Sequence, residues 1–222
     1  MVWPEFQQGE VSDFSGAVLE FRRVGSRVLH EMRVSENGRR SVDFWLGEAG
    51  FAVWGVGLLL VPDGKRFLFS GNEAGRGVRL YVEDIEGGKP RAITPEGTNA
   101  LAFSLSPDGK FVAAVGPDQK GYLYPVEAGE PRAIPGFQAG ELPIGWSADG
   151  RSLFAYKTAE LPAKIYRLEL TTGQTTLWKQ VRPADPAGVE FIGPILLTPD
   201  GKTYVYGYRR LLSDLYLVEG LR

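Results

Sequence analysis

The chain has 222 residues, of which 43% are hydrophobic, so it is long and apolar enough to bury a core. Its 25 basic and 27 acidic residues give a net charge of −2, and this balance offers no electrostatic reason to expect nucleic acid or an acidic membrane as a partner. The chain contains no cysteine, which excludes disulfides, thiolate metal sites and cysteine nucleophiles.

The sequence pattern in residues 1–50 predicts three short strands. Ala17–Val24 and Arg27–Val34 flank Gly25-Ser26, and Asn37-Gly38 lies between the second strand and residues 41–46. Asn-Gly between two strand-like runs is a strong hairpin signal. The start of the chain lacks the pattern of a signal peptide, and the longest apolar run, residues 51–61, is too short to span a membrane. We therefore expect a cytoplasmic protein.

From residue 51 onward, a unit of strand, Asp-Gly turn and strand occurs four times. Each turn is followed, 16 to 18 residues after its aspartate, by a tyrosine in a third predicted strand. The four pairs are Asp63 and Tyr81, Asp108 and Tyr124, Asp149 and Tyr166, and Asp200 and Tyr216. The aspartates recur every 41 to 51 residues, and a period of this size with several strands per unit is typical of WD40-like β-propeller repeats.

The sequence therefore predicts an all-β protein, a β-propeller of four-stranded antiparallel blades in a single domain over residues 1–222. About five blades are expected: a degenerate blade with a closing strand in residues 1–50, and four repeats in residues 51–222. The fourth repeat ends before its outermost strand, so we expect an N-terminal strand, Ala17–Val24, to complete the last blade. The alternative is a half-propeller whose open edges pair in a homodimer.

The repeat also resembles a known family. Ser106-Pro-Asp-Gly-Lys110, Leu123-Tyr124 and Gly129-Glu-Pro-Arg-Ala-Ile134 resemble the TolB-type, WD-repeat-like β-propeller. Residues 51–222 further resemble the C-terminal propeller part of some bacterial serine/threonine protein kinases, although the kinase motifs themselves are absent. The resemblance implies a sensing or protein-binding platform with no chemistry of its own.

Candidate ligand-binding residues lie near the last repeat. Tyr206 and Tyr208 alternate on one predicted strand, and Arg209 and Arg210 follow. Tyrosines with arginines are typical of a protein- or carbohydrate-binding surface, although packing between blades explains the tyrosines better. Trp146, beside the third Asp-Gly turn, is the fifth candidate. We predict a non-catalytic binding or scaffold module, a monomer or homodimer, that presents its loops and central channel to a protein or small-molecule ligand.

The enzyme alternative is a carboxylesterase- or lactonase-like hydrolase acting on small esters or lactones. His30 is the only histidine and would have to be the base, with Ser147 as the nucleophile. Ser147 is one residue short of a Gly-x-Ser-x-Gly elbow, but it occupies the position of Ser106 and Thr198 in the sibling turns, which favours a turn role. The sequence predicts neither a metal site nor a cofactor.

Overall fold

The computed structural model describes residues 10–12, 17–24, 27–34, 41–45, 51–53, 59–73, 75–86, 88–158, 160–198 and 200–212, with side chains from residue 59 onward apart from 100 and 101. None of these residues is helical. The chain divides into two compact units, Met1–Leu101 and Ala102–Arg222. Their boundary falls inside a strand, and the single domain over residues 1–222 stays a prediction.

The N-terminal strands form a four-stranded antiparallel sheet, sheet 1, in the order β1-β2-β3-β4. They are β1 (Glu10–Ser12), β2 (Ala17–Val24), β3 (Arg27–Val34) and β4 (Ser41–Trp45). The hairpins predicted at Gly25-Ser26 and at Asn37-Gly38 join strands that are paired in the structure, although both turns lie outside the described residues.

The pairing of β2 in sheet 1 contradicts the prediction that Ala17–Val24 completes the last blade. β2 is hydrogen-bonded to β1 on one side and to β3 on the other. Because both of its edges are occupied, Ala17–Val24 is an inner strand of its own sheet and does not complete the last one. The first 50 residues thus contain a full four-stranded sheet instead of a degenerate blade with a spare strand.

Sheet 2 is built around the strand β7 (Arg66–Glu73). Two short strands, β5 (Phe51–Val53) and β6 (Leu59–Leu60), pair with different parts of β7, and β8 (Arg79–Asp84) and β9 (Arg91–Ala92) follow on its other side. On one face of β7 and β8, Phe67, Phe69 and Tyr81 stack with ring centroids 5.4 and 5.7 Å apart. The stacking makes this face the aromatic core of sheet 2.

The second unit contains the remaining sheets. Sheet 3 has the order β10-β11-β12-β13, sheet 4 has β14-β15-β16-β17, and sheet 5 consists of β18 and β19. Sheet 3 comprises β10 (Asn99–Leu105), β11 (Phe111–Val115), β12 (Gly121–Pro125) and β13 (Arg132–Ala133). Sheet 4 comprises β14 (Glu141–Trp146), β15 (Ser152–Lys157), β16 (Ala163–Glu169) and β17 (Thr175–Val181). Sheet 5 comprises β18 (Val189–Leu197) and β19 (Tyr204–Arg210). The five sheets among the described residues match the predicted number of blades.

The repeated Asp-Gly sequences form the turn between β6 and β7 in sheet 2 and the turn between the first two strands of sheets 3, 4 and 5. The turn glycines Gly64, Gly109, Gly150 and Gly201 have φ between +66° and +70°, a conformation that glycine adopts without a Cβ clash. Each glycine N–H donates to the carbonyl three residues earlier, at 2.8 to 2.9 Å. The tyrosine landmarks lie on the third strands as predicted, except Tyr216, which is outside the described residues.

Buried side chains join consecutive sheets of the second unit. One cluster lies between sheets 3 and 4 and is centred on Ala113, Trp146, Leu153 and Leu168. A second cluster lies between sheets 4 and 5 and includes Phe154, Tyr156, Ile165, Ile192 and Ile195. Neighbouring residues of β15 enter opposite clusters, as expected for a strand buried on both faces. These clusters hold sheet 4 between its neighbours.

The backbone of Gly136, which follows β13, lies close to Gly173 in the turn between β16 and β17. We expect a side chain at position 136 to lower the stability of the fold. Gly136 has φ +75°, and a Cβ atom there would lie only 2.2 Å from the carbonyl oxygen of Gly173. Gly140 has a similar φ of +81°, but a Cβ atom there would have no atom of the described residues within 4 Å. We expect Gly140→Ala to lose about 1 kcal/mol from backbone strain and Gly136→Ala about 2 kcal/mol, because the clash adds to the strain. Urea denaturation measures both; equal losses would contradict the clash.

Candidate functional site

A pocket lies between the Asp-Gly turns of sheets 4 and 5. Its volume is about 370 Å³, within the range of small-ligand sites. It is lined by Ser147, Ala148, Asp149, Phe154, Arg167, Trp178, Asp200 and Gly201. The two turns supply its carboxylates, and strands β15, β16 and β17 supply Phe154, Arg167 and Trp178. The pocket therefore combines charged and aromatic groups from two adjacent sheets.

Hydrogen bonds fix both carboxylates of the pocket. Ser147 Oγ donates to Asp149 Oδ1 at 2.6 Å, and Thr198 Oγ1 donates to Asp200 Oδ1 at 2.6 Å. Backbone N–H groups of Arg151 and Lys202 donate to the same two oxygens. The hydroxyl bonds, followed by these backbone bonds, lower the pKa of Asp149 and of Asp200 below the usual value. Both side chains are therefore ionised at neutral pH.

The second oxygen of each carboxylate distinguishes the pocket turns from the other two. In sheet 2, Arg66 pairs with Asp63 Oδ2 at 2.7 Å, and in sheet 3, Lys110 Nζ lies 3.8 Å from Asp108 Oδ2. Among the described residues, the Oδ2 atoms of Asp149 and Asp200 have no hydrogen-bond or ion-pair partner, since all bonds to these side chains go to Oδ1. The pocket thus contains two charged acceptor oxygens available to a ligand.

Arg167 brings hydrogen-bond donors to the same pocket. Its Nε donates to Ser152 Oγ at 2.9 Å, and Ser152 is fully buried and donates in turn to Glu169 Oε2 at 3.2 Å. Within the part of the chain that the structure describes, the two terminal amino groups of Arg167 have no partner. Because the Nε bond anchors the guanidinium, these four N–H donors are held at the pocket.

Aromatic rings form the wall of the pocket and continue beyond it. Phe154 and Trp178 lie edge to face with centroids 5.2 Å apart. Trp178 contacts Tyr204, and Tyr204 contacts Tyr206, each at 6.3 Å. Lys179 Nζ lies 4.2 Å from the centroid of Tyr204, a cation–π distance. The pocket is therefore the end of an aromatic row that runs onto β19.

Comparison with known proteins identifies the fold. No family model and no curated protein matches the chain. Among solved structures, TolB from Acinetobacter baumannii matches with a TM-score of 0.56 and 15% identity, over 91% of this chain and 55% of that one. A putative TolB from Agrobacterium tumefaciens matches with 0.57 and 18% identity, over 94% and 72%. This chain has a TolB-like β-propeller fold.

The same propeller fold occurs in proteins of other function. An oligogalacturonate lyase from Vibrio parahaemolyticus matches with a TM-score of 0.56 and 14% identity, over 93% of this chain and 55% of that one. The TolB-like propeller spans little more than half the length of this lyase and of the Acinetobacter TolB. At such identities the likeness concerns the fold, which confirms the predicted TolB resemblance. The resemblance to kinase-linked propellers stays a prediction.

Four of the predicted ligand-binding residues of this TolB-like propeller lie together on β19, outside the pocket lining. Tyr206 is half-buried, and its hydroxyl donates to the carbonyl of Arg182 at 2.9 Å. Tyr208 contacts Tyr206 and is 47% exposed. Arg209 pairs with Glu190 at 3.2 Å and Arg210 with Asp185 at 3.0 Å. The tyrosines extend the aromatic row, and the arginines bind carboxylates of their own chain.

Trp146, the fifth candidate, lies in the cluster between sheets 3 and 4 and is 7% exposed. Its Nε1 donates to the carbonyl of Ser104 at 3.1 Å. Trp146 is therefore a core residue in this TolB-like propeller and offers almost no surface to a ligand.

The two hydrolase candidates belong to different sheets: Ser147 lies in the turn of sheet 4 and His30 in sheet 1. Ser147 belongs to the turn: its Oγ donates to Asp149 and accepts from Ser152 N at 2.9 Å. His30 lies on β3, opposite Phe21 and Phe44 in the strand register, and its side chain is outside the described residues. The pairing of His30 with Ser147 stays a prediction.

Removal of the Ser147 hydroxyl tests its role in the turn. In Ser147→Ala we expect the pKa of Asp149 to rise, since the bond that chiefly lowers it is lost, and stability to fall by about 1 kcal/mol. Carbon-13 NMR titration of the carboxyl groups measures the first effect. Asp200, with its own hydroxyl partner Thr198, is the internal control. An unchanged pKa of Asp149 would contradict this role.

The pocket residues Arg167 and Trp178 were not singled out from the sequence. A signal existed for Arg167, because it directly follows the landmark Tyr166, where the sibling repeats have Val82 and Pro125. Among the described residues, no group of three or more His, Cys, Asp and Glu is placed to hold a metal ion. That part of the chain also has no helix long and apolar enough to cross a membrane.

Proposed function

We propose that this chain is a non-catalytic binding module that holds a protein segment or a small ligand in the pocket between sheets 4 and 5. The observation that carries the proposal is the set of unused polar groups in the pocket: Oδ2 of Asp149, Oδ2 of Asp200 and the amino groups of Arg167. In two sibling turns the corresponding carboxylate oxygen lies beside a basic side chain of the same turn instead.

Rigidity of the surroundings supports binding at this place. Phe154 is 6% exposed, and Ser152, which anchors Arg167, is fully buried. The pocket groups therefore sit on packed strands and on turns closed by repeated hydrogen bonds. A site held in this way loses little conformational entropy when a ligand binds. The fold holds the pocket in place, and the residues that line the pocket would determine which ligand binds.

A photo-crosslinking residue placed at the pocket tests the proposal for protein partners. Lys202 and Lys110 are both exposed and both follow an Asp-Gly turn, but only the turn of Lys202 lines the pocket. With p-benzoylphenylalanine at position 202, we expect a crosslinked partner from cells that express the chain. The same residue at position 110 is the matched control and should give no such product.

Native mass spectrometry tests the proposal for small ligands. The chain purified from those cells should carry a bound compound that is absent from the Trp178→Ala variant. If position 202 crosslinks no more than position 110 and no compound is lost from Trp178→Ala, the pocket is not a binding site.

The enzyme alternative is tested separately. Turnover of p-nitrophenyl acetate by the wild type and by His30→Ala compares the chain with and without its only histidine. A hydrolase that uses His30 as base must lose turnover in the variant. Equal rates would remove this alternative and leave the binding proposal untouched.

A further inference from the structure

We propose that the ligand of the pocket is a saccharide, with one sugar ring against Trp178 and its hydroxyls bonded to Asp149, Asp200 and Arg167. This inference rests on the proposed function and names the chemical class of the ligand. A pyranose ring has an apolar C–H face and a rim of hydroxyls, each of which both donates and accepts hydrogen bonds. The pocket offers a partner to each of these features.

The polar groups of the pocket require a ligand that both donates and accepts. The Oδ2 atoms of Asp149 and Asp200 can only accept, because both carboxyls are ionised. The terminal amino groups of Arg167 can only donate. Sugar hydroxyls satisfy all three residues at once: they donate to the carboxylates and accept from the guanidinium. Bonds to charged groups are the stronger ones, so this match gives affinity as well as orientation.

Other ligand classes fit the pocket less well. An ammonium or guanidinium ligand would pair with Asp149 and Asp200 but would face the positive charge of Arg167. A phosphate or a simple carboxylate would pair with Arg167 but would face two negative charges, and such like-charge contacts oppose binding. A purely apolar ligand would remove water from all three charged groups and give nothing in return. A neutral polyol avoids each of these penalties.

The aromatic wall distinguishes a saccharide from a zwitterion. A free amino acid or dipeptide could also satisfy both charge types, but its charged groups lie close together and it need not offer an apolar face. Trp178 gives the pocket an aromatic surface, and the buried Phe154 packs edge to face against it. Aromatic surface needs an apolar partner when it is covered. The C–H face of a sugar ring supplies this partner directly beside its hydroxyls.

A microarray of defined glycans, containing hexoses, hexosamines, pentoses, uronic acids and sialic acids, tests the proposal with the full 222-residue chain. We expect binding to at least one class of neutral glycan, and weaker binding to the uronic and sialic acids, whose carboxylates would face Asp149 and Asp200. Isothermal titration calorimetry with that glycan should then show affinity about tenfold weaker in Trp178→Ala and in Asp200→Asn, the loss expected for one charged hydrogen bond or one stacking contact. Asp200→Asn keeps the side-chain shape. A loss of affinity in this variant therefore supports the inference even if Trp178→Ala fails to fold.

The control is Asp108→Asn, which changes the equivalent carboxylate of a turn outside the pocket and should leave the affinity unchanged. L-alanine and glycylglycine, followed by ligand-observed NMR, test the zwitterion. Binding of either zwitterion, with no glycan bound, overturns the saccharide inference while the pocket remains a binding site. Glycan binding that is equal in the wild type, Trp178→Ala and Asp200→Asn also overturns it. If no glycan binds although crosslinking at position 202 succeeds, only the saccharide inference fails.

Discussion

Replacement of Trp146 by alanine should lower the free energy of unfolding by about 3–5 kcal/mol, the loss typical of a buried tryptophan. Trp146 lies between sheets 3 and 4 among Ala113, Leu153 and Leu168 and is 7% exposed. The backbone around it is fixed by strand pairing, so the space left by the indole cannot close by a local shift. Chemical denaturation followed by circular dichroism measures the loss.

Two further variants separate the contributions of Trp146. Trp146→Phe keeps an aromatic ring but removes the N–H that donates to the carbonyl of Ser104 at 3.1 Å. A buried carbonyl without a donor costs about 1–3 kcal/mol, so this variant should fall between the wild type and Trp146→Ala. Leu177→Ala is the exposed control, since Leu177 is 51% exposed. A loss in Trp146→Ala no larger than in Leu177→Ala would show that the indole is not part of a packed core.

The position of Trp146 also shows where reading the sequence by alternation fails. On β14 a register shift between Pro143 and Gly145 places one extra residue opposite β15, so that Trp146 pairs with Leu153. A bulge of this kind changes which side chains point to which face. The sequence does not reveal this bulge. Period-2 alternation along β14 therefore cannot show which face of the sheet Trp146 lies on, and Trp146 could be taken for a surface residue.

Local signals predicted much of the fold because turns are determined locally. Asp-Gly, Asn-Gly and the spaced tyrosines gave the strand pairs and the number of sheets. The second partner of Ala17–Val24 could not be found in this way, since its pairing with β1 depends on a three-residue strand, Glu10–Ser12, with no sequence signal of its own. The pocket was missed for a similar reason: Arg167, Trp178 and Asp200 are brought together by packing of sheet 4 on sheet 5.

The second large effect is a dependence of stability on pH that arises from Glu83. This residue lies on β8 opposite Phe67 and is 4% exposed. Its Oε2 atom has no hydrogen-bond partner among the residues that the structure describes. Burial, aided by the charge of the adjacent Asp84, raises the pKa of Glu83 from 4.5 to about 7. The folded chain therefore holds this proton more tightly than the unfolded chain does.

The sign of the effect follows from proton binding. Between pH 4.5 and about pH 7 the unfolded state has released the proton of Glu83 while the folded state still holds it, so stability falls as the pH rises through this window. Above about pH 7 the loss is complete. The upper bound on this loss of folding free energy is ~3 kcal/mol, because each unit of difference between the folded and unfolded pKa corresponds to 1.36 kcal/mol. We expect Glu83→Gln to match the wild type near pH 4.5 and to be more stable by about 2 kcal/mol at pH 8.

Glu141 provides the comparison that ties this effect to the missing hydrogen bond. It is 2% exposed, and burial raises its pKa as well, but its Oε2 accepts the N–H of Gln138 at 2.7 Å and Lys157 lies opposite it. Both groups favour the charged form, so Glu141→Gln should gain less stability at pH 8 than Glu83→Gln. Equal gains would mean that burial alone sets the penalty. No gain in Glu83→Gln would mean that water or a rearranged side chain already solvates the Glu83 carboxylate.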